Sequence, residues 1–128
     1  MSIERRLAKR YATQEKVRLF LRDETSLQRL TEPVTANLFD ISSGGAGIRL
    51  AQVIIDRNHI FYAPLDSPGK ILCLEFSMIT TDDGDPFVIP VRPVWLDRSL
   101  EDHKVPFRIG VEFLEKFPKD ILKIVLQS

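Results

Sequence analysis

Apolar and polar side chains begin to alternate at Lys16. In KVRLFLR, Val17, Leu19 and Leu21 fall on one side and Arg18 and Arg22 on the other, the period of a half-buried strand. Residues 23–33 are polar and read as a long loop. VTANLFDI puts Val34, Ala36 and Leu38 on one face, SSGG supplies a turn in which glycine tolerates positive φ, and AGIRLA returns with Ala46, Ile48 and Leu50 inward. Residues 34–51 therefore predict a β-hairpin. KILCLEFSM aligns Leu72, Leu74, Phe76 and Met78, TTDDGDP turns, and FVIPVRPVWL aligns Phe87, Ile89, Val91 and Trp95. Pro90 and Pro93 give nothing to a hydrogen-bond ladder, which pushes that strand toward an edge or a bulge. After the loop DRSLEDHK, PFRIGVEFL turns Phe107, Ile109, Val111 and Phe113 inward.

Two segments differ. Residues 52–69 hold no single period and end in Pro and Gly turn signals, so they read as strand or as an excursion over a barrel end. FPKDILKIVLQS reads as a short helix: Pro118 suits a first turn, Asp120 suits the N-terminal dipole, and Ile121, Leu122 and Val125 form a stripe. Six short strands and a helix predict an all-β fold, a small antiparallel six-stranded β-barrel with the short C-terminal helix capping one open end. Residues 1–15 precede the first strand as a flexible N-terminal arm, and residues 16–128 form the barrel and helix.

Composition narrows the class. The 128 residues fit one domain, and 44% hydrophobic residues can fill a core. No apolar run approaches the roughly 18–20 residues that span a bilayer. The single cysteine excludes an internal disulfide, and the charged N-terminus lacks a signal peptide's apolar stretch, so the expected location is cytoplasmic.

Charge is balanced overall, at 18 cations and 18 anions, but unevenly placed. Residues 1–22 hold Arg5, Arg6, Lys9, Arg10, Lys16, Arg18 and Arg22 against Glu4 and Glu15, a net of +5 that leaves −5 for the rest. A basic segment on a mildly acidic body suits a small anion or a local docking patch better than a long nucleic acid. Arg6 and Arg10 form R-x-x-x-R, and Arg5 adds a third guanidinium. A guanidinium is a planar fork that matches phosphate oxygens or guanine O6 and N7. The alternative is a solvated basic tail.

DISSGG follows in the first hairpin. Asp40 and Ser42 lie two apart, on one side of an extended chain. Asp40 can accept from a paired donor edge such as guanine N1 and N2, and Ser42 can give or accept a bond. Gly44 and Gly45 lack Cβ atoms, so a planar group can approach the backbone. The alternative is an ordinary turn. Other chemistry is weaker. GGAG lacks the lysine of a P-loop. Asp82, Asp83 and Asp85 have no glutamate at a calcium loop's twelfth position. His59 and His103 lack ligands at metal spacing, Ser42 and Ser43 lack a nucleophile elbow, and Cys73 reads as core. No catalytic residue, metal site or cofactor is expected, and the chain reads as a non-enzyme.

R-x-x-x-R followed by D-x-S-x-x-G leading into a β-hairpin resembles the PilZ domain family of bacterial cyclic di-GMP receptors. Arg6 and Arg10 match the first motif; Asp40, Ser42 and Gly45 match the second. The GVEF strand, Gly110 to Phe113, and the closing helix also look like that family. The resemblance implies a signalling receptor or adaptor in which cyclic di-GMP is clamped between the arm and the DxSxxG strand, changing the surface offered to a protein effector. An arginine before the first motif accompanies an intercalated ligand dimer in the family, and Arg5 holds that position. Arg5, Arg6, Arg10, Asp40, Ser42, Gly44 and Gly45 are the expected ligand residues. Trp95, Arg92 and Arg108 are candidates for the ligand's edge, with core packing or solvation as their alternatives. The rivals are a family-like adaptor that binds no ligand and a small nucleic-acid-binding barrel. The latter needs aromatics interleaved with cations on an exposed face, and the aromatics here follow the inward pattern; no DNA or RNA partner is expected.

Overall fold

The computed structural model describes residues 9–127, and in it the alternating segments hydrogen-bond into one antiparallel sheet. Its strands are β1 (Tyr11–Ala12), β2 (Lys16–Asp23), β3 (Val34–Ile41), β4 (Gly45–Leu50), β7 (Lys70–Thr80), β8 (Pro86–Arg98) and β9 (Phe107–Phe113), with β5 (Ile54–Ile55) and β6 (Asn58–His59) forming a separate hairpin. The order is β1-β3-β2-β7-β8-β9-β4, and β4 also pairs with β3. Six strands thus close into a barrel, which removes the exposed edges of an open sheet.

The predicted inward residues fill the barrel. Leu19, Leu21, Ile48, Leu50, Leu72, Leu74, Phe76 and Ile109 are fully buried, and Val17, Leu38, Ile89 and Val91 nearly so. Two phases differ from expectation. Met78 is 81% exposed while Ile79 is buried, because the β7–β8 pairing slips between Phe76 and Thr80. Trp95 turns outward and Leu96 packs inward, because the β8–β9 pairing slips between Pro93 and Trp95. β8 is an interior strand, so Pro93 adjoins a bulge and not an edge, while Pro90 stays in register opposite Cys73.

Both barrel ends are closed. The segment from β4 to β7 forms the β5–β6 hairpin, whose turn residues Asp56 and Arg57 have φ of 49° and 69°, then α1 (Tyr62–Asp66). Two consecutive positive φ values match a hairpin turn of the kind whose twist suits paired strands. This segment buries Val53, Ile55 and Ile60 and packs Phe61 and Ala63 against the core. β9 runs antiparallel to β4, so the chain leaves it at the opposite end. There Phe117 stacks on Phe113 with centroids 4.7 Å apart and meets Phe76 and Phe87 edge-on. α2 (Lys119–Gln127) follows and seals that end with Val125, aided by Ile121 and Leu122. Among the described residues, no helix is long and apolar enough to cross a membrane.

The loop 23–33 folds back on β2: Leu30 N donates to Leu21 O, and Leu21 N donates to the Thr31 hydroxyl. Arg29 then lies over the Phe20 ring at 4.8 Å. Phe20, Cys73 and Glu75 point away from the barrel axis, yet all three are buried. Glu75 accepts from Arg18 Nε at 2.6 Å and from Ser77.

Candidate functional site

The end of β3 brings the two sequence motifs together. Its edge pairs with β1, Tyr11 opposite Ile41 and Ala12 opposite Asp40, and Thr13 N donates to Phe39 O. β1 and β2 therefore run in line along one side of β3. This pairing delivers Arg10 beside the strand end, where its Nη1 donates to Asp40 Oδ1 at 2.8 Å. The pair is half-exposed, with side-chain exposures of 51% and 24%. Arg5 and Arg6 lie outside the described residues.

Ser42 behaves differently from Asp40. β3 ends at Ile41, so Ser42 has left the strand and does not share Asp40's face. It is buried, its hydroxyl accepts from Gly44 N and Gly45 N, and it donates to Gly45 O. A hydroxyl has one donor and two acceptor sites, and the turn uses all three. Neither Gly44 nor Gly45 has positive φ, contrary to the expected reason for a glycine pair. Gly45 is required by space instead: a Cβ there would strike the Val111 carbonyl. Gly44 has nothing within 4 Å of its missing Cβ, so it leaves the turn open.

Next to Asp40 the outer face of the barrel carries an aromatic patch. Asp40 pairs with Gly47, Gly47 with Gly110, and Gly110 with Trp95, a row across β3, β4, β9 and β8. A Cβ on Gly47 would strike the Phe39 ring and lie 2.7 Å from Asp40 Oδ1; one on Gly110 would strike the Trp95 indole. The two glycines thus let both rings lie down on the sheet, centroids 6.4 Å apart and tilted by 47°. Trp95 remains 39% exposed, offering a π surface to solvent.

Arginine–carboxylate pairs border the aromatic patch. Arg92 pairs with Glu112 at 2.8 Å on one side, and Arg108 with Asp97 on the other. The Arg108 hydrogen bond, then the Arg98 N–H, holds the Asp97 carboxyl below its ordinary range. Both candidate edge arginines therefore sit beside Trp95, each with a carboxylate partner. Sequence reading missed Phe39, Gly47 and Arg49. The available signal was Gly47 two residues after Gly45 on one face of a strand, but cross-strand register was needed to set it against Gly110.

Beyond Arg108, the β8–β9 loop roofs an open cavity of about 560 Å³ lined by Arg49, Ser99, Glu101, Asp102, His103, Lys104, Val105 and Arg108. Asp102 fixes the loop by accepting from Lys104 N and Val105 N, which keeps its carboxyl below the ordinary range. His59 serves locally, its Nδ1 accepting from Phe61 N and Tyr62 N. Among the described residues, no three His, Cys, Asp or Glu side chains converge on a point that would hold a metal.

Comparison with known proteins agrees with this fold. The PilZ domain model matches residues 4–127. No curated protein matches the sequence. Among solved structures, the Borreliella burgdorferi PlzA protein in complex with c-di-GMP is similar, with a TM-score of 0.54 and 13% identity. The match covers 90% of this chain but 43% of that one, and at this identity it speaks for the fold alone.

Proposed function

The chain belongs to the PilZ domain family, and on that premise we propose that it is a cytoplasmic receptor for cyclic di-GMP, acting by binding and not by catalysis. The observation that carries this reading is the Arg10–Asp40 pair, which joins the R-x-x-x-R and D-x-S-x-x-G motifs across 30 positions beside the Phe39 and Trp95 rings.

The proposed mechanism is an exchange of partners. A half-exposed ion pair contributes only about 0–1 kcal/mol, so it is readily given up. In exchange, Asp40 accepts from guanine N1 and N2, and Arg10, with Arg6 and Arg5, turns to guanine O6 and N7 or to phosphate. Each bidentate arginine–guanine contact contributes roughly 1–3 kcal/mol. A base stacked on Trp95 contributes roughly 1–3 kcal/mol more. Residues 1–15 act as the clamping arm, tied to β3 through β1, and residues 16–128 are the body it closes on. Ser42, Gly44 and Gly45 act by shaping the turn that the ligand meets. The closed arm changes the surface read by a protein effector. Arg5 implies two intercalated ligands per chain, and saturation at one ligand would contradict that stoichiometry.

Long nucleic acid fits poorly. Among the described residues, Asp40, Glu112 and Asp97 each balance an arginine on this face, which interrupts a basic stripe for a polyanion. The second reading is an adaptor without ligand, in which the Arg10–Asp40 pair stays closed. Titration with cyclic di-GMP beside cyclic di-AMP separates the two. The receptor binds the guanine ligand selectively and loses that selectivity in Asp40→Ala; the adaptor binds neither.

A further inference from the structure

The two motifs do not account for every cation on the ligand face. Arg10, Arg92 and Arg108 each hold a carboxylate: Asp40, Glu112 and Asp97. Arg49 holds none. Among the described residues its guanidinium makes no hydrogen bond and no ion pair; it lies over the Phe39 ring at 5.4 Å. Phe39 in turn is seated over Gly47, next to the Asp40 carboxylate. Arg49 is paired in register with Arg108, two residues along β4 from the Gly47–Gly110 row. It is exposed and lines the cavity under the β8–β9 loop.

We propose that Arg49 is a further ligand-binding arginine, outside both motifs, which donates to a phosphate group of the bound nucleotide at the junction of the aromatic patch and this cavity. The inference rests on the cyclic di-GMP reading and adds where a phosphate goes. Three features fit that role. The Phe39 ring holds the guanidinium plane without using its N–H groups, so its donors stay available. The carboxylates that line the same cavity are Glu101 and Asp102; neither forms an ion pair with Arg49, and Asp102 feels its charge while spending Oδ1 on Lys104 N and Val105 N. A purine stacked on Trp95 carries its sugar and phosphate beyond the row of glycines. Arg49 and Arg108 are the next side chains along β4 and β9 on the cavity side.

The test uses the full chain with cyclic di-GMP. Affinity is read by calorimetry and the ligand phosphorus by ³¹P NMR, for wild type, Arg49→Ala and Arg49→Lys. Loss of a charge-assisted contact is expected to weaken binding roughly ten- to a hundredfold in Arg49→Ala. Arg49→Lys should restore part of it, because an ammonium keeps the charge but not the plane. The ³¹P shift of bound ligand should move in Arg49→Ala while the guanine imino protons stay in place. Thermal stability should be unchanged, since the side chain is exposed. Unaltered affinity in Arg49→Ala would overturn the inference alone, as would weakened binding with an unmoved ³¹P shift. Absence of binding by the wild type would overturn the receptor reading and this inference together.

Discussion

Arg10 and Asp40 are 30 positions apart in the chain and 2.8 Å apart in space. Backbone pairing of β1 with β3 brings them together, so the ion pair follows from the strand and does not create it. Arg10→Ala should therefore lower unfolding stability by no more than about 1 kcal/mol. The same substitution should cost far more in ligand affinity. Urea denaturation and a ligand titration on one preparation separate the two effects.

Gly110 lies under the only tryptophan. Gly110→Ala puts a methyl where the indole rests, so Trp95 must lift from the sheet or the strands must part. The expected cost is about 1–3 kcal/mol, typical of overpacking. The indole should also become more exposed, shifting its fluorescence to longer wavelength. An unshifted spectrum and an unchanged melting point would show that the ring does not lie where the glycine leaves room.

Glu75 is 3% exposed. Burial alone would raise its carboxyl pKa, but hydrogen bonds from Arg18 and Ser77, with the Arg18 and Arg29 charges, outweigh burial and hold it below its ordinary 4.5. A folded-state value below the unfolded one stabilises the fold above pH 4.5, and that contribution is lost as pH falls through the lowered value. Glu75→Gln should cost about 1–3 kcal/mol at neutral pH by weakening the partner of Arg18. It should also flatten the acid limb of stability against pH. A mutant with the wild-type slope would place the acid sensitivity elsewhere.

Cys73 is fully buried, and burial pushes its thiol up to about 11. Thiolate is the reactive form, so at pH 8 a disulfide reagent should label native protein only as it opens. The labelling rate should follow denaturant toward the unfolding rate. Fast labelling without denaturant would mean that the Arg29 and Phe20 cover is open in solution.

The barrel was legible because period two is a local property. Val17, Leu19 and Leu21, or Ile109 and Val111, needed no partner strand to reveal their inward face. Met78 and Trp95 were misplaced because each follows a slip in pairing, and a bulge inverts the phase without marking the sequence clearly. At the site, the pairing of Arg10 with Asp40 follows the two motifs, whereas the turn bonds of Ser42 do not. A serine in a turn can face a ligand or bond its own backbone, and only the geometry shows that all its capacity is used internally. Phe39, Gly47 and Arg49 escaped because their meaning depends on four strands in register.

Calorimetric titration of the full chain with cyclic di-GMP, beside Arg6→Ala and Asp40→Ala, bears most directly on the receptor reading. Micromolar or tighter binding by the wild type, abolished by both substitutions, is the expected result. A wild type that takes up no ligand, or binding that survives both substitutions, would mean that the motifs do not form the site and that the barrel acts through protein partners or another surface.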